Sequence, residues 1–488
     1  MNHWLTQIVS QTSLLFLCFS PAFADPSWQQ IDQSGFAALN KGDFASADKL
    51  LSEGLKLAES SAPESMEVVA SLLHLGMLYS AQGKLAATEP LYKRALDIAE
   101  KVTGPDSAAV AGCLNNVASI YQDQGKYAEA EPLCRRSLAI AEKTLGPNDV
   151  HTAIALDNLG ALLSHLGKND ETESFYKRAL SIREKSLSAD DPELATSLNN
   201  LAVLYQAEGK YSEAEPLFKR TLPILEKTPG ADTLVASTLA NLGDLYRVEG
   251  KYADAEPLLK RALAMDEKAF GPDHPHVAVS LNCLATFYVS QGKYSEAKPL
   301  YERALAIREK QAGGPNPDVA VALNNLAHVY RLQGMYSAAE PLYKRALSIN
   351  ETTLGPAHTL VGVNLNNLAT IYFAQADYVK AEPLFKRALE IQEKDHLQNS
   401  PEYAATLNNL ARAYQAQTKY AEAEPLYKSA VAIEEKVVGP RHNDEVKFLT
   451  NYASLLRKTN RPQEAEKLEA KAKAISDSRD TGNGKFSE

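Results

Sequence analysis

Asn116, Asn158, Asn200, Asn241, Asn325, Asn367, Asn409 and Asn451 recur at a step of 42 residues, with one step of 41, and His74 and Cys283 fill the slots that asparagine leaves. A carboxamide carries two donors and an acceptor with two lone pairs. A column of them can grip an extended peptide backbone in both directions with little regard for its side chains. The same column can instead bond neighbouring helices and fix their stacking, and the residue types alone leave both roles open. Three residues beyond each asparagine stand Ser119, Ala161, Val203, Asp244, Thr286, His328, Thr370 and Arg412. Three further stand Gln122, Ser164, Gln206, Arg247, Val289, Arg331, Phe373 and Gln415. Arg247, His328, Arg331 and Arg412 give the later repeats a basic tendency. The guanidinium fork suits acidic groups, so an extended segment carrying carboxylates is the expected ligand.

Other reactive residue types lead nowhere. The chain has no Gly-rich phosphate loop, no HExxH, no GxSxG and no paired metal-ligand spacing. His274 and His276 sit in Asp-His-Pro-His, and His358 and His442 recur at the same phase, which assigns them to a connector's geometry. Spread one per repeat, they cannot converge on a metal. Cys113, Cys134 and Cys283 form an odd set without CxxC spacing, expected as small buried apolar residues. No catalytic residue, metal or cofactor is expected, and the chain does not read as an enzyme. The Lys-Arg pairs at 93–94, 219–220, 260–261, 344–345 and 386–387 resemble a basic ladder. Glu215, Glu256, Glu340 and Glu382 precede the lysines by four residues, the spacing of helix ion pairs, so this is expected to be a solvated outer face.

A net charge of −10 and no long Lys/Arg run exclude a nucleic-acid footprint and an anionic-membrane anchor. The first 24 residues hold no charged side chain, and the apolar stretch Leu14 to Phe19 leads to Ala22-Phe23-Ala24 before Asp25. Small residues at −3 and −1 read as a cleavable secretory signal over 1–24, too short to span a bilayer. The mature chain is therefore expected in the periplasm or outside the cell, with no integral membrane segment.

What positions these residues is a repeat. Ala-Glu-Pro-Leu or a close variant places proline at 90, 132, 216, 257, 299, 341, 383 and 425, with Ser174 in the one missing slot, and the phase continues to Lys49 and Lys467. Leu323, Leu326, Ala327 and Tyr330 share one helical face. Gly334 breaks that helix, as do Gly83, Gly125, Gly167, Gly209, Gly250 and Gly292 elsewhere. A second helix starts near Tyr336, with Pro341 expected in its first turn, and ends at Gly355-Pro356. Ser212-x-x-Glu215 has the residues of a capping box. The expected fold is all-α: a right-handed superhelical solenoid of about eleven antiparallel helix pairs over 25–475, with degenerate caps at about 25–62 and 443–475 and an unstructured tail at 476–488. Pro223, inside a second helix, is expected to kink or end it and to bend the superhelix beside the linker 228–232.

This pattern resembles the tetratricopeptide repeat, whose usual period is about 34 residues. Leu-Asn-Asn-Leu-Ala, Gly-Lys-Tyr-x-Glu-Ala-Glu-Pro-Leu-Tyr-Lys-Arg-Ala-Leu and Gly-Pro-Asp-His-Pro are similar to the repeats of kinesin light chains, over about nine tenths of the chain. The heptad coiled coil of kinesin light chains has no counterpart here. The resemblance implies that first helices line a concave groove, which would make the asparagine column and Arg247, His328, Arg331 and Arg412 a peptide-binding lining. The expected function is a protein-binding scaffold outside the cytoplasm. The alternative is an assembly scaffold of an envelope or secretion complex, working through its convex face and ends.

Overall fold

The computed structural model describes residues 26–40, 43–82, 84–312, 314–394, 397–437 and 443–483. The expected signal segment, Gly83 and His442 lie outside them. Among the described residues there are 22 helices and no strand, which pair into the eleven hairpins the repeat implies. The chain forms two compact units, residues 1–269 and 270–488. In the first unit the pairs are Pro26–Asn40 with Phe44–Ser61, Met66–Ala81 with Leu85–Thr103, and Ala108–Asp123 with Tyr127–Thr144. Val150–His165 with Asn169–Ser186, Pro192–Ala207 with Tyr211–Glu226, and Asp232–Val248 with Tyr252–Phe270 follow, the last residue belonging to the second unit. The second unit holds Pro275–Ser290 with Tyr294–Gln311, Pro317–Leu332 with Tyr336–Leu354, and Thr359–Ala374 with Tyr378–Lys394. Pro401–Ala416 with Tyr420–Val437 and Asn443–Lys458 with Pro462–Asn483 complete it. No helix among the described residues is long and apolar enough to cross a membrane.

Most first helices start on a side chain; Asp232–Val248, with Ala231 at its cap position, does not. Ser65, Ser107, Asp149, Asp191, Asn316 and Ser400 each accept a hydrogen bond from a backbone N–H of the first turn. His274 and His358 do the same through Nδ1, accepting from the N–H of His276 at 3.3 Å and of Leu360 at 3.1 Å. Of the recurring connector histidines, His274 and His358 are therefore helix caps. Second helices start differently: Lys126, Lys168, Lys210, Lys293 and Met335 stand at the cap position without a side-chain bond. The capping box expected at Ser212 and Glu215 does not form, because the helix begins one residue before the serine, whose Oγ bonds Glu213 instead.

The turn between paired helices needs a left-handed residue. Gly125, Gly167, Gly209, Gly250, Gly292 and Gly334 supply it with φ from 70° to 76°. In the last three hairpins Ala376, Thr418 and Asn460 take the same conformation at φ 61°, 60° and 58°, where a Cβ is strained. The repeat prolines lie later than expected: Pro341 is the sixth residue of Tyr336–Leu354, in the second turn. It therefore removes the bond that the Ser337 carbonyl would accept, rather than sparing an end group. Pro223 neither ends its helix nor leaves it at full length. Tyr211–Glu226 runs one turn past it and stops at 16 residues, against 18 or 19 in its neighbours. The last helix reaches Asn483, so residues 476–483, expected to be unstructured, are helical. They hold no proline, and their first glycine is Gly482.

Packing is small against large. Ala327, Ala339, Ala369, Ala381 and Ala411 are fully buried, and so are Tyr343, Phe385 and Tyr427. Where the first helix carries glycine, a ring takes the space: a Cβ at Gly76 or Gly160 would lie 2.3 Å or 2.6 Å from Tyr92 or Tyr176. Cys113 and Cys134 are buried, and burial pushes the Cys134 thiol up to about 12.

Candidate protein-binding face

Within a unit successive first helices are neighbours, and amide bonds between them show how the asparagine column is used. In the last hairpins it stacks helices: Asn409 Nδ2 donates to Asn366 Oδ1 at 3.1 Å, and Asn451 Nδ2 to Asn408 Oδ1 at 3.0 Å. A parallel series of bonds runs through the interior, from Asn350 Nδ2 to Asn364 Oδ1 at 2.7 Å and from Asn364 Nδ2 to Asn324 Oδ1 at 2.9 Å. Asn116, Asn158, Asn200, Asn325 and Asn367 have no hydrogen bond to their carboxamides among the described residues, and none is a sealed group like Asn115. Asn241 is engaged. The two roles left open by residue type thus divide by position.

The basic residues also divide. In the first unit Arg247 Nε meets Asp244 Oδ1 at 2.7 Å, and Gln206 Nε2 donates to Asp244 Oδ2 at 3.1 Å. Arg247 is therefore neutralised inside the protein and offers little to an acidic ligand. In the second unit Arg331 Nη2 lies 3.2 Å from His328 Nδ1. The His328 ring reaches the surface but is crowded by protein, and this desolvation, with Arg331 beside it, lowers its pKa to about 4. It is neutral at pH 7 and leaves Arg331 as the cation. Arg412 lies over Phe373, its Cζ 4.7 Å from the ring centre, an arrangement that holds a guanidinium without a counter-charge.

Arg331 and Arg412 stand apart from the other arginines. Neither has a carboxylate within ion-pair distance among the described residues. By contrast, Arg94, Arg136, Arg178, Arg220, Arg261, Arg345 and Arg387 each pair with a glutamate of the preceding hairpin. Arg183, buried in the core, pairs with Asp157 and bonds Ser197. Arg303 is held by the Pro272 carbonyl at 2.9 Å.

The second-helix face is a clamp between hairpins, a role that the sequence pattern did not suggest. The expected Glu-to-Lys pairs within a helix are present, with Lys177 2.6 Å from Glu173 and Lys386 2.7 Å from Glu382. Several of these glutamates also reach the next hairpin of their own unit. Glu173 takes Lys210 at 3.0 Å and the Tyr205 hydroxyl at 3.1 Å. Glu215 takes Lys251 at 3.1 Å, Glu382 takes Lys419 at 2.9 Å and Glu424 takes Arg461 at 2.8 Å. The Lys93 bond at Glu89, the Lys177 bond at Glu173 and the Lys386 bond at Glu382 are the chief reasons these carboxyls fall to about 2. One hairpin reverses the polarity. Lys298 occupies the glutamate's place and Glu302 the lysine's, 3.7 Å apart, and the next connector offers Met335 where most others carry lysine. Lys298 then lies over the Tyr330 ring at 5.1 Å. The signal was in the repeat itself, in the basic residue that most connectors carry one unit downstream of Ala-Glu-Pro.

Among the described residues no group of three or more His, Cys, Asp and Glu is placed to hold a metal ion. A face of amides, two free arginines and an aromatic plate is suited to holding a polypeptide. Across residues 68–109, 110–185, 155–227, 234–310, 318–394 and 402–478 the chain matches sequence profiles of the tetratricopeptide repeat. No curated protein sequence matches it. Among solved structures it is similar to a protein of Podosopora anserina assigned as a kinesin light chain with nearly identical TPR-like repeats. That match has 28% identity over 43% of this chain and 98% of that one, with a TM-score of 0.37. It is also similar to BtubC (BKLC) of P. vanneervenii, at 24% identity over 49% of this chain and 93% of that one, with a TM-score of 0.40. The profile matches extend over more than half of the sequence, and the chain belongs to the tetratricopeptide repeat family.

Proposed function

We propose that this protein–protein interaction scaffold takes an extended, acidic segment of a partner along the first-helix face of residues 317–416, outside the cytoplasm. The observation that carries the reading is the pair Arg331 and Arg412, left without carboxylates in a protein that pairs its other described arginines. Pairing with a carboxylate is how this protein engages most of its arginines, so two held open on hairpins separated by one other favour an anionic visitor. The free carboxamide of Asn367 lies between them in sequence, that of Asn325 just before Arg331, and both suit the visitor's backbone. Asn158 offers the same backbone grip in the first unit, where Asn116 and Asn200 are buried. Export is supported by the apolar stretch and Ala22-Phe23-Ala24 ahead of Asp25.

The test is fluorescence anisotropy of labelled acidic peptides on the protein starting from Asp25, with Arg331→Glu and Arg412→Glu introduced together. Loss of binding by about 100-fold or more, with unchanged helicity, is the expected result, since each reversal replaces an attraction by a repulsion. Unchanged affinity would move binding to the second-helix face and the ends, as the assembly-scaffold alternative requires. Amino-terminal sequencing of the protein recovered from its source cells tests export: a first residue of Asp25 supports it, and a first residue of Met1 refutes it.

A further inference from the structure

His274 and His358 cap first helices in two hairpins of the second unit, Pro275–Ser290 and Thr359–Ala374, through the Nδ1 lone pair. An imidazole accepts at Nδ1 only while that nitrogen carries no proton, and the imidazolium is a donor at both nitrogens. Ser107, Asp149, Asp191, Asn316 and Ser400 hold the same place in other hairpins. Their oxygens remain acceptors throughout the range in which imidazole titrates. A proton on His274 or His358 therefore removes the acceptor and sets a positive charge against the positive end of a helix dipole. The charged groups of the two connectors are already engaged. Asp273 is taken by Lys310 at 2.5 Å, Arg303 by the Pro272 carbonyl, and Arg308 by Asp318 at 3.0 Å. Arg387 pairs with Glu351 at 2.7 Å and donates to the Pro356 carbonyl at 3.3 Å. His276 stacks on His274 with ring centres 5.3 Å apart, and burial, then Arg308, holds it below the usual imidazole range. In the first unit a proton has the opposite effect. His74 and His151 lie 2.9 Å and 2.8 Å from Asp32 and Asp149, where a positive charge completes an ion pair.

We infer that the two histidine caps make the second unit acid-sensitive, releasing the starts of Pro275–Ser290 and Thr359–Ala374 together as pH falls through the imidazole range. The direction follows from proton binding. Unfolded imidazoles take up protons near pH about 6.5, whereas the folded ones do so only by giving up their caps, so acid favours the uncapped starts. The stability these two bonds supply is complete above that range and lost below it. The two helices flank Pro317–Leu332, whose cap Asn316 does not titrate. Acid thus loosens the hairpins on both sides of Arg331, while Ser65, Ser107, Asp149 and Asp191 keep their caps in the first unit. This response is independent of what the first-helix face binds.

Hydrogen exchange of the whole protein by mass spectrometry at about pH 7.5 and about pH 5.5, corrected for the intrinsic exchange rate, tests this. In the wild type the amides of residues 276–279 and 360–363 should lose about 5–10-fold of their protection in acid. The helix starts capped by Ser107, Asp191 and Ser400 should change by less than about two-fold. His274→Asp and His358→Asp, introduced together, supply an acceptor that stays ionised at both values and should abolish the difference. The acid-induced fall in thermal midpoint should also shrink by about 2–4 °C per cap. Equal loss of protection at every first-helix start, or no loss at residues 276–279 and 360–363, overturns the inference. The wild-type comparison decides this even if the variant does not fold. A folded variant that still loses protection in acid at the same residues also overturns it, since the titrating group is then another.

Discussion

Glu173→Gln removes one clamp charge and keeps the side chain's size. In the wild type this carboxylate is 21% exposed, with Lys177 at 2.6 Å, Lys210 at 3.0 Å and the Tyr205 hydroxyl at 3.1 Å. Its bonds to Lys177 and then Lys210 outweigh desolvation and lower its pKa from the ordinary 4.5 to about 2. Taken at face value the shift corresponds to about 3 kcal/mol at about 1.4 kcal/mol per unit. The two lysines are 55% and 41% exposed, and solvent screening of such pairs brings the expected loss to ~1–2 kcal/mol. A folded pKa below the unfolded value means the contribution is complete above the unfolded pKa. It is lost as pH falls from about 4.3 toward 2. Urea unfolding of wild type and variant, followed by circular dichroism, should therefore show a deficit for the variant at pH about 7 that closes by pH about 2. A deficit that persists undiminished in acid, or none at neutral pH, refutes the clamp as the source.

Three further outcomes follow from the local geometry. Thr418→Gly and Ala376→Gly should each stabilise the second unit by about 0.5–1 kcal/mol, because relief of left-handed strain exceeds the added freedom of the unfolded state; thermal unfolding of each single variant checks this. Gly160→Ala should destabilise by about 1–3 kcal/mol, since its Cβ would lie 2.6 Å from the Tyr176 ring, and Tyr176→Leu in the same protein should recover part of the loss. Asn366→Ala and Asn409→Ala should show a coupling of about 0.5–1.5 kcal/mol in a double-mutant cycle, because each carboxamide bonds the other.

The hairpins were legible because their signals are local: apolar residues every third or fourth position, and a glycine where the backbone must turn left-handed. Ala376, Thr418 and Asn460 show the limit, since the stacked helices impose the turn where the residue type does not ask for it. Helix starts were less legible for a related reason. Ser212 and Glu215 have the capping residues, but the Gly209-Lys210 turn begins the helix before the serine can cap it. The candidate face was half legible. Asp244, three residues before Arg247, was in view and neutralises it, a pairing any helix allows at that spacing. What no single helix reveals is a bond between residues 36 or 37 apart, such as Lys210 to Glu173, which turns a solvated charge pattern into a fastening between neighbours.

The reversed clamp at Lys298, Glu302 and Met335 bears on how such a repeat protein can grow. In the stretch from Glu131 to Lys251 each hairpin presents a carboxylate forward and receives a lysine, so a copied unit inserted there finds compatible neighbours on both sides. A copy of that kind placed after the 275–311 hairpin would bring its Gly-Lys lysine against Lys298, and two ammonium groups would meet where others find an acid. Duplication therefore fits the clamps of the first unit and meets a like-charge contact at this seam, a cost of up to about 1 kcal/mol.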